Sequence, residues 1–104
     1  MQVLELAVDA TTNIFETTKD GKVWVHIDTD DTFGTVTMQY SKSKDIDFAD
    51  AATFYPDGSA ETFTDVTTKL YDLPGGWFWR FSGSSTTANN YYVDGNHIKI
   101  HVVN

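Results

Sequence analysis

The segment HIKIHVV near the end of the chain carries two histidines four residues apart, His97 and His101, with Lys99 between them. On a helix this spacing would place both imidazoles on one zinc ion, whereas on a strand it separates them by about 13 Å. The alternation with Ile98 and Ile100 predicts a strand, so the two histidines should not share a metal ion. We interpret them as part of a solvated polar face, with a pH-sensitive or assembly contact as the alternative.

Two groups of aspartates are the other candidates for metal binding. Asp28, Asp30 and Asp31 resemble the alternating carboxylates of a calcium loop, but the segment lacks the glycine and the distal glutamate of an EF-hand loop. A second, looser group consists of Asp45, Asp47 and Asp50. We predict solvated loops at both, with weak calcium binding as the alternative. No metal ion and no cofactor is therefore expected.

The residue types in the chain give little support for nucleophilic catalysis. The chain contains no cysteine, which excludes thiolate nucleophiles, thiolate zinc sites and disulfides together. The three histidines stand beside no recognisable nucleophile elbow, and no glycine-rich phosphate loop occurs. A carboxylate pair for glycoside hydrolysis stays open, although a domain of this size offers little cleft. We predict a protein without enzymatic activity.

Length and charge limit the classes of partner. A chain of 104 residues forms one domain, residues 1–104. The net charge of −8, with seven scattered lysines and arginines, argues against nucleic acid as a partner. No apolar run approaches the ~20 residues that span a bilayer. The start MQVLELAVDA lacks the features of a signal peptide, so we expect neither a membrane partner nor a secretory route.

The elements that must position these residues are strands, because apolar and polar residues alternate in segments rich in threonine, valine and aromatics. The predicted strands are residues 3–8, 23–27, 35–41, 53–55, 60–64, 69–73, 77–83, 91–93 and 97–103. TDDTFG, residues 29–34, and the Asp94-Gly95-Asn96 turn are each predicted to close a hairpin. The fold class is an all-β, single antiparallel β-sandwich, immunoglobulin-like or jelly-roll-like, and residues 46–52 permit one short helix.

The strand WFWRFSG carries three aromatics on one face, Trp77, Trp79 and Phe81, while Phe78 and Arg80 lie on the other. We predict that the three aromatics belong to the core, and that Phe78 and Arg80 form a protein interface, since aromatic residues and arginine are enriched there. A sugar-binding platform is the alternative for the aromatic face, but nothing polar interrupts it. The predicted core is Val36, Met38, Tyr40, Trp77, Trp79, Phe81, Ile98 and Ile100.

The order of several motifs resembles a family of virus proteins. GTVTMQYS (34–41), PDGS (56–59), LPGGWFWRFSGSS (73–85) and IKIHV (98–102) follow one another as in the small β-sandwich structural proteins of tailed bacteriophages, which include head decoration (cement) proteins. Residues 1–33 have no counterpart in that pattern.

This resemblance implies a non-catalytic virion structural protein, most directly a capsid decoration protein that binds and stabilises the phage head. It implies the major capsid protein or another virion protein as partner, assembly in the host cytoplasm, a location in the virion and a homo-oligomeric state. The alternative is a carbohydrate- or receptor-binding β module of a phage tail or fibre, and a small soluble enzyme is the third hypothesis.

Overall fold

A computed structural model describes residues 2–4, 11–42, 61–85 and 88–101. These residues form strands that build two antiparallel sheets packed against each other, so the fold is an all-β sandwich, as predicted. In the described ranges no helix is long and apolar enough to cross a membrane. The strands are β1 (Gln2–Leu4), β2 (Ile14–Thr17), β3 (Gly21–Thr29), β4 (Thr35–Ser41), β5 (Glu61–Phe63), β6 (Thr67–Leu73), β7 (Trp77–Ser84), β8 (Asn89–Gly95) and β9 (Ile98–His101).

The strand order differs between the two layers. The four-stranded sheet has the order β1-β8-β3-β6, and the five-stranded sheet has the order β5-β4-β7-β2-β9. Alternate side chains of each sheet point into the space between the layers, because successive residues of a strand face opposite sides. The buried residues that form this core are Phe15, Val23, Val25, Ile27, Phe33, Val36, Met38, Phe63, Tyr71, Leu73, Trp79, Phe81, Tyr91 and Val93.

The predicted core residues all contribute to this interior, but to different degrees. Val36, Met38, Trp79 and Phe81 are buried, whereas Tyr40, Trp77, Ile98 and Ile100 pack against the core with part of their surface exposed. Both isoleucines lie on β9, which ends the described order of the five-stranded sheet and pairs only with β2 there. A strand with one neighbour shields its side chains less than a central strand does.

Both predicted hairpins are wrong. β3 belongs to the four-stranded sheet and β4 to the five-stranded sheet, so residues 30–34 cross from one layer to the other. The crossing follows from Phe33, which is only 8% exposed and inserts its ring into the core. β8 and β9 also lie in different sheets. That corner is held by Thr18, which directly follows β2 and donates from its amide to the His97 carbonyl at 2.8 Å.

Some predictions concern residues outside the described ranges. These are the short helix at 46–52, the Asp45, Asp47 and Asp50 group, the strand at 53–55, the PDGS turn, residues 5–8 of the first strand and residues 102–103 of the last. The connection between the predicted strands 77–83 and 91–93 is shorter than those bounds imply, because β7 continues to Ser84 and β8 already begins at Asn89.

The Pro-Gly-Gly turn before β7 is tied to β2 through Thr17. The buried Trp79 indole donates from Nε1 to the Thr17 hydroxyl at 3.0 Å, and that hydroxyl donates to the Pro74 carbonyl at 2.7 Å. The Gly76 amide donates to the Thr17 carbonyl at 2.6 Å. Because a buried indole N–H needs an acceptor, this threonine fixes how the aromatic strand enters the core.

Candidate binding surface

The outer face of the four-stranded sheet begins with the alternation of β3. Val23, Val25 and Ile27 are buried, with exposed fractions of 3%, 0% and 0%. The residues between them therefore point outward, and Trp24 is 46% exposed. An exposed tryptophan at the middle of a strand leaves a large apolar surface in contact with water.

Trp24 has an apolar neighbour on one side and an acidic neighbour on the other. Leu70 of β6 is its direct cross-strand partner and is 40% exposed. Asp94 of β8 is the partner on the opposite side, and it is also exposed. We call the outward-facing set Trp24, His26, Leu70, Tyr92 and Asp94 the Trp24 surface. At the β6 side an exposed ion pair, Lys22 with Asp72 at 3.4 Å, borders it.

A row of hydrogen-bonded side chains crosses the same face beside the tryptophan. His26 Nδ1 lies 2.6 Å from the Thr68 hydroxyl, and His26 Nε2 lies 3.0 Å from Asp28 Oδ2. Asp28 Oδ1 accepts from the Asn90 amide at 2.9 Å. The Tyr92 ring packs at 5.6 Å from the His26 ring, measured between centroids. The row links three strands and fixes the position of both rings.

This row has the order of an acyl-transfer site, with a hydroxyl, an imidazole and a carboxylate in sequence. Such a site also needs hydrogen-bond donors aimed at a developing oxyanion. His26 is paired with Thr68 on one side and with Tyr92 on the other. The backbone around His26 therefore pairs with both neighbouring strands and does not point its N–H groups at a common acceptor site. The arrangement is that of a cross-strand side-chain ladder, which stiffens the face that carries Trp24.

The residues predicted from the sequence as an interface, Phe78 and Arg80, lie on the outer face of the other sheet. Both are half-buried, unlike Trp24. Arg80 donates from Nε to Gln39 Oε1 at 2.6 Å, and the Phe78 ring lies 5.7 Å from the ring of His101. Gln39 itself is only 7% exposed. Phe78 and Arg80 thus have intramolecular partners and stand on the opposite layer from the Trp24 surface.

The other sequence candidates are dispersed. His101 lies 2.9 Å from Glu16 on the neighbouring β2, whereas His97 is exposed at the corner before β9. Asp30 and Asp31 are exposed in the crossing segment, and Asp28 is held in the row described above. Within the described residues, no group of three histidine, aspartate or glutamate side chains is arranged to hold a metal ion.

Sequence reasoning missed Trp24, although the signal was present. The segment VWVHI predicts a strand, and its three β-branched residues at alternate positions imply that Trp24 and His26 face away from the core. The interface was predicted instead in the run at residues 77–81, which contains more aromatic side chains. The exposed pairing with Leu70 depends on the register between β3 and β6, which alternation alone does not specify.

Comparison with known proteins identifies no relative. No protein-family model, no curated protein and no solved structure matches the chain. A functional proposal must therefore be based on the residues of the chain itself.

Proposed function

We propose that the chain is a non-catalytic structural protein of a virion, a decoration protein that binds and stabilises the head of a tailed bacteriophage. The partner is the major capsid protein or another virion protein, and the Trp24 surface makes the contact. The observation that carries the proposal is the pair of adjacent exposed apolar side chains, Trp24 at 46% and Leu70 at 40%. The motif order from Gly34 onward, which resembles that of small virion proteins, supports the same function.

Trp24 would supply the largest share of the binding energy at this surface. Tryptophan is the residue type most enriched among those that dominate binding energy, when it enters a desolvated pocket of the partner. Covering the exposed part of Trp24 would contribute on the order of 2–3 kcal/mol at about 25 cal/mol per Å². Leu70 adds a neighbouring apolar contact, while Asp94 and the Lys22–Asp72 pair supply a polar rim. This is the arrangement of an interface centre surrounded by charges.

The charge of the chain specifies the kind of surface that it meets. A net charge of −8 favours a partner that is locally basic. Binding should therefore weaken as salt is raised, because exposed charges are screened over about 8–10 Å at physiological ionic strength. A partner that binds only the folded state also raises the stability of a cysteine-free domain.

Trp24→Ala is expected to lower occupancy on purified particles by at least tenfold at limiting protein, since a loss of about 2 kcal/mol exceeds a factor of ten. The melting temperature of the free protein should change little, because the side chain is half in water. Phe78→Ala is the matched control, an aromatic truncation on the opposite layer, and Arg80→Ala accompanies it. Occupancy is measured by quantitative gel or mass spectrometry after sedimentation of the particles.

The variants separate two contact surfaces. Loss with Trp24→Ala and retention with Phe78→Ala and Arg80→Ala supports the Trp24 surface. The reverse pattern would assign the contact to the five-stranded sheet, as the sequence had indicated. Wild-type occupancy for all three variants would contradict both assignments.

A second candidate function is a carbohydrate- or receptor-binding module of a phage tail or fibre. It is favoured by one observation, the exposed carboxylate of Asp94 directly across from Trp24. An indole face can stack on the C–H face of a sugar while a carboxylate accepts hydrogen bonds from its hydroxyls. Glycan-array binding that is lost in both Trp24→Ala and Asp94→Asn would favour this function. Head binding without glycan binding would favour the decoration protein.

A further inference from the structure

In the described part of the chain, β6 forms one edge of the four-stranded sheet. β6 comprises seven residues, Thr67–Leu73, and of the described strands only β3 pairs with it. Thr68, Lys69 and Leu70 are all exposed, although successive side chains of a strand point to opposite faces. Exposure on both faces at consecutive positions means that none of the described residues covers this stretch of the edge. Its outward backbone N–H and C=O groups can accept another strand.

Large exposed apolar side chains gather at the same edge. In the described part of the chain they are Trp24, Val66 and Leu70, with exposed fractions of 46%, 53% and 40%. Leu70 lies in the middle of β6, Val66 immediately precedes the strand, and Trp24 is the cross-strand neighbour of Leu70. An open strand edge together with apolar side chains is a surface suited to pairing with another β-strand.

We propose that two copies of the chain pair antiparallel through β6, symmetrically about Leu70, and join their four-stranded sheets into one. A twofold axis through the Leu70 pair places Leu70 opposite Leu70 of the second copy. The same register places Thr68 opposite Asp72 and Val66 opposite Pro74. The isologous contact is self-complementary, as twofold symmetry requires.

The charges at this edge agree with that register. Asp72 meets a threonine rather than a carboxylate, and it retains its ion pair with Lys22. Lys69 would meet Tyr71 of the second copy. Lysine on an edge strand often prevents pairing, but here its ammonium lies 2.7 Å from Glu61 on β5 and 5.1 Å over the Tyr71 ring. The charge is therefore directed across the sandwich and away from the edge.

Pairing would extend the Trp24 surface across the axis. Trp24, Leu70, Leu70 of the second copy and Trp24 of the second copy would form one row over four adjacent strands. A dimer that carries two copies of Trp24 binds two subunits of a repetitive partner at once, which increases avidity without any new kind of contact. The dimer itself does not depend on the proposed virion function, because self-association is measured with the purified chain alone.

Single-cysteine cross-linking tests the register, because the chain contains no cysteine. Leu70→Cys is expected to form a disulfide-linked dimer under mild oxidation, since directly opposite Cβ atoms lie about 4.5–5.5 Å apart and need little adjustment. Trp24→Cys is the matched control on the same face. Its two copies would be separated by three strand spacings, about 14 Å, and cannot be bridged. The readout is the dimer fraction on a non-reducing gel.

Mixed cross-linking and sedimentation complete the test. A mixture of Thr68→Cys and Asp72→Cys chains should form heterodimers by mass spectrometry, whereas neither chain alone should cross-link efficiently. In sedimentation, the unmodified chain should be a dimer, and Leu70→Lys should be a monomer that keeps the β-sheet circular dichroism spectrum and the cooperative unfolding of the unmodified chain. Equal cross-linking of Leu70→Cys and Trp24→Cys, or an unmodified chain that is monomeric at all concentrations, would overturn the proposal. Particle binding by a monomeric wild-type chain would overturn the dimer and leave the proposed function intact.

Discussion

Trp79→Ala is expected to lower the free energy of unfolding by about 3–5 kcal/mol, the range found for large aromatic-to-alanine changes in cores. The side chain is 2% exposed and lies at the centre of the five-stranded sheet's inner face. Its ring stacks on Phe15 at 6.4 Å and packs on Tyr40 at 5.8 Å, measured between centroids. Truncation therefore leaves a cavity between two aromatic neighbours, and it also removes the indole donor to Thr17.

Urea unfolding followed by circular dichroism measures this loss, with Trp77→Ala as the matched control. Trp77 is half-buried, so its truncation should be less destabilising than that of Trp79. Thr17→Val separates the hydrogen bond from the packing, since it retains volume but removes the acceptor, and should cost about 1–3 kcal/mol. A loss under about 1 kcal/mol for Trp79→Ala would contradict the placement of the residue in the core.

Gly34→Ala is the second large effect, because the glycine combines a left-handed backbone with close contacts. Its φ is +68°, a region that costs a residue with a Cβ about 1–2 kcal/mol. A Cβ built there would also lie 2.6 Å from the Ser85 carbonyl oxygen and closer still to that of Ser84. The neighbouring Phe33 is buried in the core, which limits how far the crossing segment can shift to relieve this contact. We expect a total loss above about 2 kcal/mol.

Gly76→Ala isolates the backbone contribution to that loss. Gly76 has a φ of +83°, but a Cβ there would meet nothing within 4 Å. The difference in unfolding free energy between the two variants therefore measures the steric contact at Gly34. Equal losses for Gly34→Ala and Gly76→Ala would mean that the crossing segment adjusts freely, and would contradict its role in fixing β3 to β4.

Most of the described strands could be predicted from the sequence because alternation is local, but β2 (Ile14–Thr17) was not predicted. The segments around Val25, Met38 and Trp79 each show one apolar face, and the structure buries that face. Which strands pair with each other could not be predicted in the same way. A short loop such as TDDTFG is compatible with a hairpin and with a crossing between layers, and only the burial of Phe33 between the sheets distinguishes them.

The candidate binding surface was harder to predict than the strands, because it depends on the register between strands that are distant in the sequence. Phe78 and Arg80 were correctly assigned to an outer face, but the strand beside them supplies Gln39, which binds Arg80 and reduces its exposure. Trp24 lies on an outer face too, yet its neighbour across the strand is the exposed Leu70. Which outer face stays available to a partner therefore depends on the neighbouring strands, and these are distant in the sequence.

Quantitative mass spectrometry of purified phage particles tests most directly whether the wild-type chain is a component of the virion. We expect a fixed copy number relative to the major capsid protein, retained through sedimentation in a low-salt sucrose gradient and reduced when salt is raised. A chain that is absent from purified particles, or that varies in amount from one preparation to the next without saturation, would contradict the assignment to the virion.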